Sequence, residues 1–418
     1  MTEFDLWIAG IPGLGKETLF MLWAAEGKTI DFAEQIYRME KPVLCKFAEK
    51  AIRLENEERY RDGREQCSAV LARRAAELLS NAKESHNSVS YLRRTAQEYE
   101  KKGIRYIWAG EPDYPERLRC IDDPPFGLFV KGRLPNQERP AVGIVGARMA
   151  STYGKTQARR YASSLAAAGV QVISGMARGI DGIAGRGALD AGDDSFAVLG
   201  GGVDICYPKE NRDLYEALAD RGGLISEYRP GVQPQNRFFP SRNRIISGLS
   251  DLILVIESRE RSGTLITVDR ALEQGKDVWA LPGRVDDAGS SGCNRLIRQG
   301  AGIALSPEIV LEALGLQEDM EGKKIQKVQE DADHGTGSIE VTEESLLQKD
   351  VRTDKCSADA ALLRCLDRST PHSLDDIYEE AKALMGREIS FAQLQRELVK
   401  LMIKGRVYEL RVGQYVKG

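Results

Sequence analysis

Arg148 is the residue whose type and position best suit the binding of a phosphate. It follows Gly146 at the end of an apolar, strand-like run, 141–146, and it precedes an amphipathic helical stretch. A glycine lets the backbone turn closely, a guanidinium donates two parallel hydrogen bonds to phosphate, and the first amides of a helix favour anions. We therefore predict a phosphate site at Gly146 and Arg148. The alternative is that Arg148 pairs with a carboxylate inside the fold.

The same arrangement recurs after the next two strand-like runs. Ser174, Gly175 and Arg178 lie in SGMARGID, and Gly201 lies in GGGVD. One glycine-rich loop is a weak signal, but three at the same edge of a parallel sheet would let a phosphate backbone approach closely. Asp181 is predicted to cap the helix that it begins rather than to act in catalysis.

Arginines alternate with aromatic residues in RFFPSRNRIISGLSD, at 237–251. This pattern suits single-stranded nucleic acid, because cations follow the backbone while a ring stacks on an unpaired base. We expect one of Phe238 and Phe239 to be core and the other to be partly exposed. The segment YPKENRD and the backbone nest of SGTLIT extend the predicted site. Beyond the three loops above, the predicted DNA- or phosphate-binding residues are Lys209, Asn211, Arg237, Phe239, Arg242, Asn243, Arg244, Ser262, Gly263 and Thr264.

Strand-like and helical segments alternate between about 141 and 314, and the strand-like runs are apolar on both faces. This alternation predicts a Rossmann-like α/β fold with a doubly wound, mostly parallel sheet. The domain is placed at 103–314, because a strand-bearing entry segment begins at Gly103. Helical spacing of apolar residues predicts a helical domain over 1–102. An acidic stretch without aromatics predicts a linker over 315–357, and helices followed by a hairpin predict a winged-helix-like domain over 358–418.

The segment GIPGLGKET, at 10–18, nearly fits a nucleotide-binding P-loop. Glu17 stands where a serine or threonine would hold magnesium, and no strand precedes the segment. We therefore predict a turn between two helices, as in a helix-hairpin-helix unit, and no ATP site.

Composition narrows the remaining classes of function. The 7 cysteines form no CxxC pair and the 3 histidines lie far apart, so neither a metal site nor a disulfide framework is expected. No catalytic triad, HExxH motif or dinucleotide signature occurs, so no catalytic residue and no cofactor are predicted. The net charge of −4 means that nucleic acid would need a local basic patch. With no signal-peptide pattern and no apolar run of about 20 residues, we expect a cytoplasmic protein without a membrane contact.

Taken in order, the central motifs resemble the DNA-processing protein A (DprA/Smf) family from about 103 to 314. The resemblance implies a non-enzymatic protein that binds single-stranded DNA entering the cell during natural transformation, protects it and helps load the recombinase RecA. It also implies a homodimer formed through the Rossmann-like domain. The helical N-terminus resembles the SAM-like domain of many members, and the C-terminal segment resembles their winged helix. The motifs that carry the resemblance are GIVGARMASTYGK, VISGMARGIDGIAGRGAL, VLGGGVDICYPKENRDLY, LISEY, FFPSRNRIISGLSD, SGTLITVDRALEQGKDVWALPG and GCNRLIRQGA.

The resemblance further implies roles for single residues. Arg148 corresponds to the family's phosphate-binding arginine, Lys209 to a pocket lysine and Phe239 to a base-stacking aromatic. Gly185 stands where many relatives carry histidine, which argues against a catalytic requirement for that histidine. Arg237 substitutes for a lysine that some relatives place just before the aromatic.

Two other functions stay open on the residues alone. The glycine-rich loops also suit an enzyme that acts on a nucleotide or a phosphosugar, with Asp181, Asp204 and Glu257 as its catalytic candidates. The basic residues of the last helices would suit a regulator that binds duplex DNA. Glutamates such as Glu379 and Glu397 interrupt them, so a solvated face is the more favoured interpretation.

Overall fold

The computed structural model describes residues 1–62, 64–84, 89–192 and 194–316, and, in the C-terminal part, 365–366, 372–385, 394, 398, 407–411 and 414–417. The chain divides into two compact units, Met1–Gln329 and Glu330–Gly418. Most of the predicted linker, from 317 onward, lies outside the described residues.

The described residues ahead of 102 are helical, as the spacing of apolar residues predicts. Thr2 begins the first helix with a capping box, in which its hydroxyl accepts from Asp5 N–H while the Asp5 carboxylate accepts from Thr2 N–H. Helix packing continues into the central sheet: the Trp23 ring lies 5.4 Å from that of Trp108, which stacks on Phe126 at 5.6 Å. The helices and the sheet therefore share one apolar core. The helices are α1 (Glu3–Ala9), α2 (Lys16–Glu26), α3 (Phe32–Arg38), α4 (Lys41–Arg61), α5 (Ala69–Glu84) and α6 (Val89–Lys101).

A sheet with the strand order β1-β2-β6-β5-β4-β3-β7-β8-β9 forms the centre of this unit. The run from β6 to β9 in that order is parallel, and β1 and β2 add an antiparallel edge. Strands β3 to β7 are buried along their whole length, as parallel strands covered on both faces must be. The strands are β1 (Ile104–Trp108), β2 (Gly127–Gly132), β3 (Ala141–Val145), β4 (Gln171–Ser174), β5 (Ser195–Val198), β6 (Gly223–Ser226), β7 (Leu252–Val255), β8 (Asp277–Ala280) and β9 (Gly302–Ile303).

Helices follow the strands of this sheet, which confirms the predicted doubly wound, Rossmann-like fold. Strands β4, β5 and β6 build the sheet outward on one side of β3, and β7, β8 and β9 build it outward on the other. The winding direction therefore reverses between β3 and β7, the position at which open α/β sheets form a crevice. The helices are α7 (Glu116–Arg119), α8 (Thr152–Ala167), α9 (Ile180–Gly192), α10 (Arg212–Arg221), α11 (Phe238–Leu249), α12 (Thr264–Glu273), α13 (Ser291–Arg298) and α14 (Pro307–Ala313).

The second unit is described in part. It contains β10 (His372–Ser373), α15 (Leu374–Met385), β11 (Val407–Arg411) and β12 (Gln414–Lys417), with the strands in the order β10-β12-β11. The hairpin of β11 and β12 lies where the sequence predicts one. Most of the other two predicted helices lies outside the described residues, so the winged helix stays a prediction. None of the described helices combines the length and the apolar character that crossing a membrane requires.

Candidate nucleic-acid interface

A cleft of about 1180 Å³ opens where the winding of the sheet reverses. The loop after β3 and the loop after β7 form two of its walls, and the first turns of α11 form another. The carboxyl ends of parallel strands and the N-termini of the helices that follow them meet at this edge, which favours anionic ligands. Of the predicted site, the residues that line the cleft are Gly146, Arg148, Asn211, Phe239, Arg242, Asn243, Ser262, Gly263 and Thr264.

Arg148 and Phe239 form the cation–aromatic part of the cleft. The Arg148 guanidinium lies 5.5 Å from the centre of the Phe239 ring, and the ring itself is half-buried. Arg148 is exposed, and no carboxylate of the described residues forms an ion pair with it. The alternative that Arg148 pairs with a carboxylate inside the fold is therefore wrong. An arginine that is solvated and held over a ring can still bind an incoming phosphate.

Phe238 is also half-buried, with its ring stacked on Tyr228 at 4.1 Å. The expectation that one of the two phenylalanines is core is therefore wrong. They begin α11 side by side and each packs on a different tyrosine, since the Phe239 ring lies 5.7 Å from Tyr207. Only Phe239 lines the cleft.

Besides Arg186, which pairs with Asp213, three further cations outside the predicted site line the cleft: Lys155, Arg259 and Arg261. All three are exposed, and none forms an ion pair with a carboxylate of the described residues. Arg259 and Arg261 flank Glu260 directly after β7, at the carboxyl edge of the sheet. Both arginines stand next to the predicted nest at Ser262 in the sequence, so they could have been predicted as part of the phosphate site.

Arg242 is buried at the floor of the cleft, where it fixes the loops. Its guanidinium donates to the Gly175 carbonyl at 2.9 Å and to the Val198 carbonyl, at the ends of β4 and β5. Burial lowers the pKa of Arg242 to about 10, against the opposing effect of Asp181. Its main contacts are therefore with protein carbonyls, and a ligand would meet only the part of the side chain that lines the cleft.

Asp181 is the second residue of α9, and its carboxylate accepts from Gly175 N–H at 3.1 Å in the preceding loop. The prediction that it caps the helix is therefore wrong. Burial raises the pKa of Asp181, and the nearby Arg242 opposes that rise. The carboxylate and the Arg242 guanidinium both lie close to Gly175, since a Cβ there would be 2.7 and 2.5 Å from their ends.

Glu257 fills the N-terminus of α8, at which the sequence analysis expected an external anion. Its carboxylate accepts from both Ser151 N–H and Ser151 Oγ at 3.0 Å. A Cβ added at Gly154 would lie 1.9 Å from the Glu257 Oε2, so the glycine leaves room for this carboxylate. The expected anion position at this helix is therefore occupied by a side chain of the protein.

Other residues of the predicted site lie away from the cleft or are engaged by protein groups. Arg244 is buried and donates to the Glu227 carboxylate at 2.8 and 3.0 Å. Arg178 pairs with Glu210 at the surface. Ser174 is buried, and its hydroxyl donates to the Asp181 carbonyl at 3.2 Å.

The small residues of the predicted loops serve close packing. Gly175 and Gly201 are buried, and a Cβ at Gly201 would meet Pro234 at 2.9 Å. Asn211 lines the cleft, but its amide donates to the Met176 and Ala177 carbonyls at 3.0 and 3.2 Å. The role of these loops is therefore to support the residues that line the cleft.

Residues 105–315 match the model of the family "DNA recombination-mediator protein A". The chain belongs to this family. It is 39% identical over 224 residues to the DNA processing protein DprA of Bacillus subtilis, covering 53% of this chain and 75% of that protein. It is 40% identical over 223 residues to the protein Smf of Synechocystis sp., covering 52% of this chain and 56% of that protein. The chain thus spans little more than half of the length of some curated relatives.

A solved structure of DNA processing protein A from Streptococcus pneumoniae shares the fold. Its likeness extends over 75% of this chain and 98% of that chain, with a TM-score of 0.60 and 29% sequence identity. The likeness therefore reaches beyond the residues matched by the model of the recombination-mediator family.

In this member of the recombination-mediator family, the residues singled out by resemblance lie near one another. Lys209 is exposed and lies between Tyr207, whose ring contacts that of Phe239, and Asn211, which lines the cleft. Arg237 is exposed, with its guanidinium 5.1 Å from the centre of the Phe238 ring. Gly185 is buried against Leu214, which would lie 3.2 Å from an added Cβ.

The P-loop-like segment has a structural contact. Lys16 forms an ion pair with Asp123, which in turn pairs with Arg244 at 3.0 Å. The segment therefore connects the N-terminal helices to α11.

Proposed function

We propose that the protein binds single-stranded DNA in the cleft between β3 and β7. The observation that carries the proposal is that exposed cations line the same cleft as the half-buried Phe239 ring and have no carboxylate partner among the described residues. In a chain with a net charge of −4, such cations give a local positive field that the molecule as a whole lacks. They can neutralise the phosphates of a strand while the ring stacks on a base.

The arrangement favours a single strand over a duplex. The bases of a duplex present their faces to one another, whereas those of a single strand are free to stack on an aromatic side chain. Phe239 lies under Arg148, so a base on the ring and a phosphate on the guanidinium can come from neighbouring nucleotides. The proposed contact residues are Arg148, Lys155, Lys209, Phe239, Asn243, Arg259, Arg261, Ser262, Gly263 and Thr264.

We also propose that the protein acts without catalysis. Each carboxylate that the enzyme hypothesis requires accepts a backbone hydrogen bond: Asp181 from Gly175, Asp204 from Gly231 at 2.8 Å, and Glu257 from Ser151. These contacts give each of the three carboxylates a structural role, in which it holds a neighbouring loop or helix end in place. Release of free base from nucleoside monophosphates, abolished by Asp181→Asn, would support the enzyme instead.

Family membership supports a wider proposal about partners. We propose that the protein acts in the cytoplasm as a homodimer formed through the Rossmann-like domain, protects incoming single-stranded DNA during natural transformation and helps load RecA. The test is the single-strand-dependent ATPase activity of RecA on DNA coated with a single-strand-binding protein. Addition of this protein should shorten the lag, and an unchanged lag would refute the loading role.

The DNA-binding proposal is tested with fluorescently labelled oligo-dT and the Arg148→Ala variant. We expect about a tenfold loss of affinity, because the substitution removes a charge-assisted contact to phosphate. The slope of log K against log salt should fall by about 0.7 for each lost contact to a single strand. Duplex DNA of the same length should bind more weakly than the single strand.

Arg270→Ala is the matched control. Arg270 is exposed on α12 and pairs with Glu273, so the variant removes the same charge outside the cleft. It should retain the affinity and the salt slope of the unmodified protein. Equal effects of the two variants, or unaltered binding by Arg148→Ala, would refute this cleft as the DNA site.

A further inference from the structure

The N-terminus of α12 is an open corner of the cleft. Ser262 and Gly263 line the cleft, and no described residue accepts a hydrogen bond from their backbone N–H groups. A Cβ added at Gly263 would meet nothing within 4 Å, and the φ of Gly263 is −61°, which any residue can adopt. Neither packing nor backbone conformation requires a glycine here, so the open space above it is available to a ligand.

Thr267 supplies a second, independent observation. It lies one turn along α12 from Thr264, on the same face, and both side chains line the cleft. Thr267 is only 3% exposed, and its hydroxyl has no hydrogen-bond partner among the described residues. Because this hydroxyl has no protein partner and Thr267 lines the cleft, the hydroxyl is available to donate to a bound group.

The charge of the corner is positive. Arg259 and Arg261 lie immediately before the nest and have no carboxylate partner in the described part of the chain. Each of the three carboxylates that line the cleft accepts from protein groups: Asp181 from Gly175 N–H at 3.1 Å, Glu257 from Ser151, and Asp287 from Gly289 N–H at 3.0 Å and Ser290 Oγ at 2.8 Å. The positive end of the α12 dipole adds to the field of the two arginines.

We propose that this corner binds a phosphate monoester, either the terminal phosphate of a DNA strand or that of a nucleoside monophosphate. The proposal rests on the DNA-binding function proposed above and assigns this part of the cleft to a chain end. The two backbone N–H groups and the Thr267 hydroxyl are donors for phosphate oxygens, and Arg259 and Arg261 supply countercharge.

The number of donors at this corner favours a monoester over a phosphate within a strand. An internal phosphodiester has two free oxygens, one negative charge and a sugar on each side. A monoester has three free oxygens, close to two charges and a sugar on one side only. A monoester therefore offers more free oxygens and more charge to the two N–H groups, the Thr267 hydroxyl and the two arginines.

The test compares short oligo-dT with a 5′-phosphate, with a 3′-phosphate and with neither, and it titrates thymidine monophosphate against thymidine by calorimetry. One phosphorylated end should bind about tenfold more tightly than the hydroxyl end, the factor expected of one or two charge-assisted hydrogen bonds. Thr267→Val and Gly263→Ala should each remove most of this difference, and Thr267→Val should leave binding of the unphosphorylated strand unchanged.

Folding of these variants is checked by thermal unfolding without ligand. Thr267→Val removes an unpartnered hydroxyl and Gly263→Ala is compatible with the backbone, so both should unfold at or above the temperature of the unmodified protein. Thr156→Val is the matched control, since it removes a hydroxyl on the exposed face of α8 that already donates to Thr152.

Each outcome has a distinct meaning. A phosphate-dependent gain for an oligonucleotide supports the corner as a site for DNA ends. A gain for thymidine monophosphate alone supports the same corner as a nucleotide site. Equal affinities with and without a phosphate monoester in both arms overturn the proposal, even where the strand itself binds. Loss of binding for every oligonucleotide, with monophosphate binding retained, instead overturns the DNA-binding function.

Discussion

Arg244→Met separates a structural role from a DNA-binding role within α11. The Arg244 guanidinium donates to both oxygens of Glu227, to the Ser241 carbonyl at 3.0 Å and to the Asp123 carbonyl at 2.9 Å. It also forms an ion pair with the Asp123 carboxylate at 3.0 Å. Methionine retains an apolar stem of similar length but removes the charge and these donors. The variant therefore removes a buried cation from between two carboxylates without opening a large cavity.

The expected loss of stability follows from the solvation of those carboxylates. Removing one partner of a fully buried ion pair lowers the free energy of unfolding by about 3–5 kcal/mol, because the remaining charge is buried without a counter-charge. The side chains of Glu227 and Asp123 are 23% and 53% exposed, so water partly compensates them. Asp123 also keeps Lys16 as a partner. We therefore expect the free energy of unfolding to fall by about 2–3 kcal/mol.

The assay is urea unfolding followed by tryptophan fluorescence, together with oligo-dT affinity measured on the folded variant. Arg244→Met should lower the unfolding midpoint and leave the affinity within about twofold of the unmodified protein, since Arg244 does not line the cleft. Adding Glu227→Gln should recover part of the stability, because it removes the orphaned charge. An unaltered midpoint combined with a tenfold loss of affinity would refute this reasoning.

Three further predictions concern the loops and the ring. Gly179→Ala should lower the free energy of unfolding by at least about 2 kcal/mol, since φ is +74° and the added Cβ would lie 2.2 Å from the Ala147 carbonyl oxygen; an unchanged urea midpoint would contradict this contact. Phe239→Leu should weaken oligo-dT binding by about 1–2 kcal/mol in fluorescence anisotropy, and Phe238→Leu should not; equal losses would remove Phe239 from the site. Burial raises the pKa of Asp181 above its ordinary value of 3.8. The folded state therefore holds this proton more tightly than the unfolded state, so the free energy of unfolding falls as the pH rises from about 4 through the raised pKa. Urea unfolding should show the unmodified protein losing stability relative to Asp181→Asn over that range, and a pH-independent difference would contradict it.

The fold of the central unit was predictable because the same sequence pattern recurs along it. Strand-like runs that are apolar on both faces alternate with amphipathic helices, and only a covered parallel sheet accommodates that pattern. The antiparallel pairing of β1 and β2 was not predictable from these runs. Nor was the attachment of this pair to the sheet, which depends on long-range antiparallel pairing of β2 with β6, such as Gly132 with Gly223.

Site residues that follow a strand were predictable from the sequence. Site residues on a helix were not, because the sequence does not show which face of the helix points to the cleft. Arg148 follows a strand, so its place at the carboxyl edge follows from the fold class. Arg242 and Arg244 are two residues apart on α11, which puts them about 200° apart around the helix. They cannot both face one cleft, and the pattern does not say which of them does. Burial decides it, since Arg244 turns toward Glu227.

The two helices that begin at the reversal of the sheet have opposite electrostatic arrangements at their N-termini. At α8, a Cβ on Gly154 would collide with Glu257, so the glycine makes room for a carboxylate of the protein itself. At α12, a Cβ on Gly263 would meet nothing, so the glycine leaves the backbone accessible from the cleft. Because Glu257 already neutralises the first helix end, an external anion meets an uncompensated positive field only at the second. Arg148 and the N-terminus of α12 therefore lie in the same cleft as two cationic positions, whereas the N-terminus of α8 is closed to phosphate.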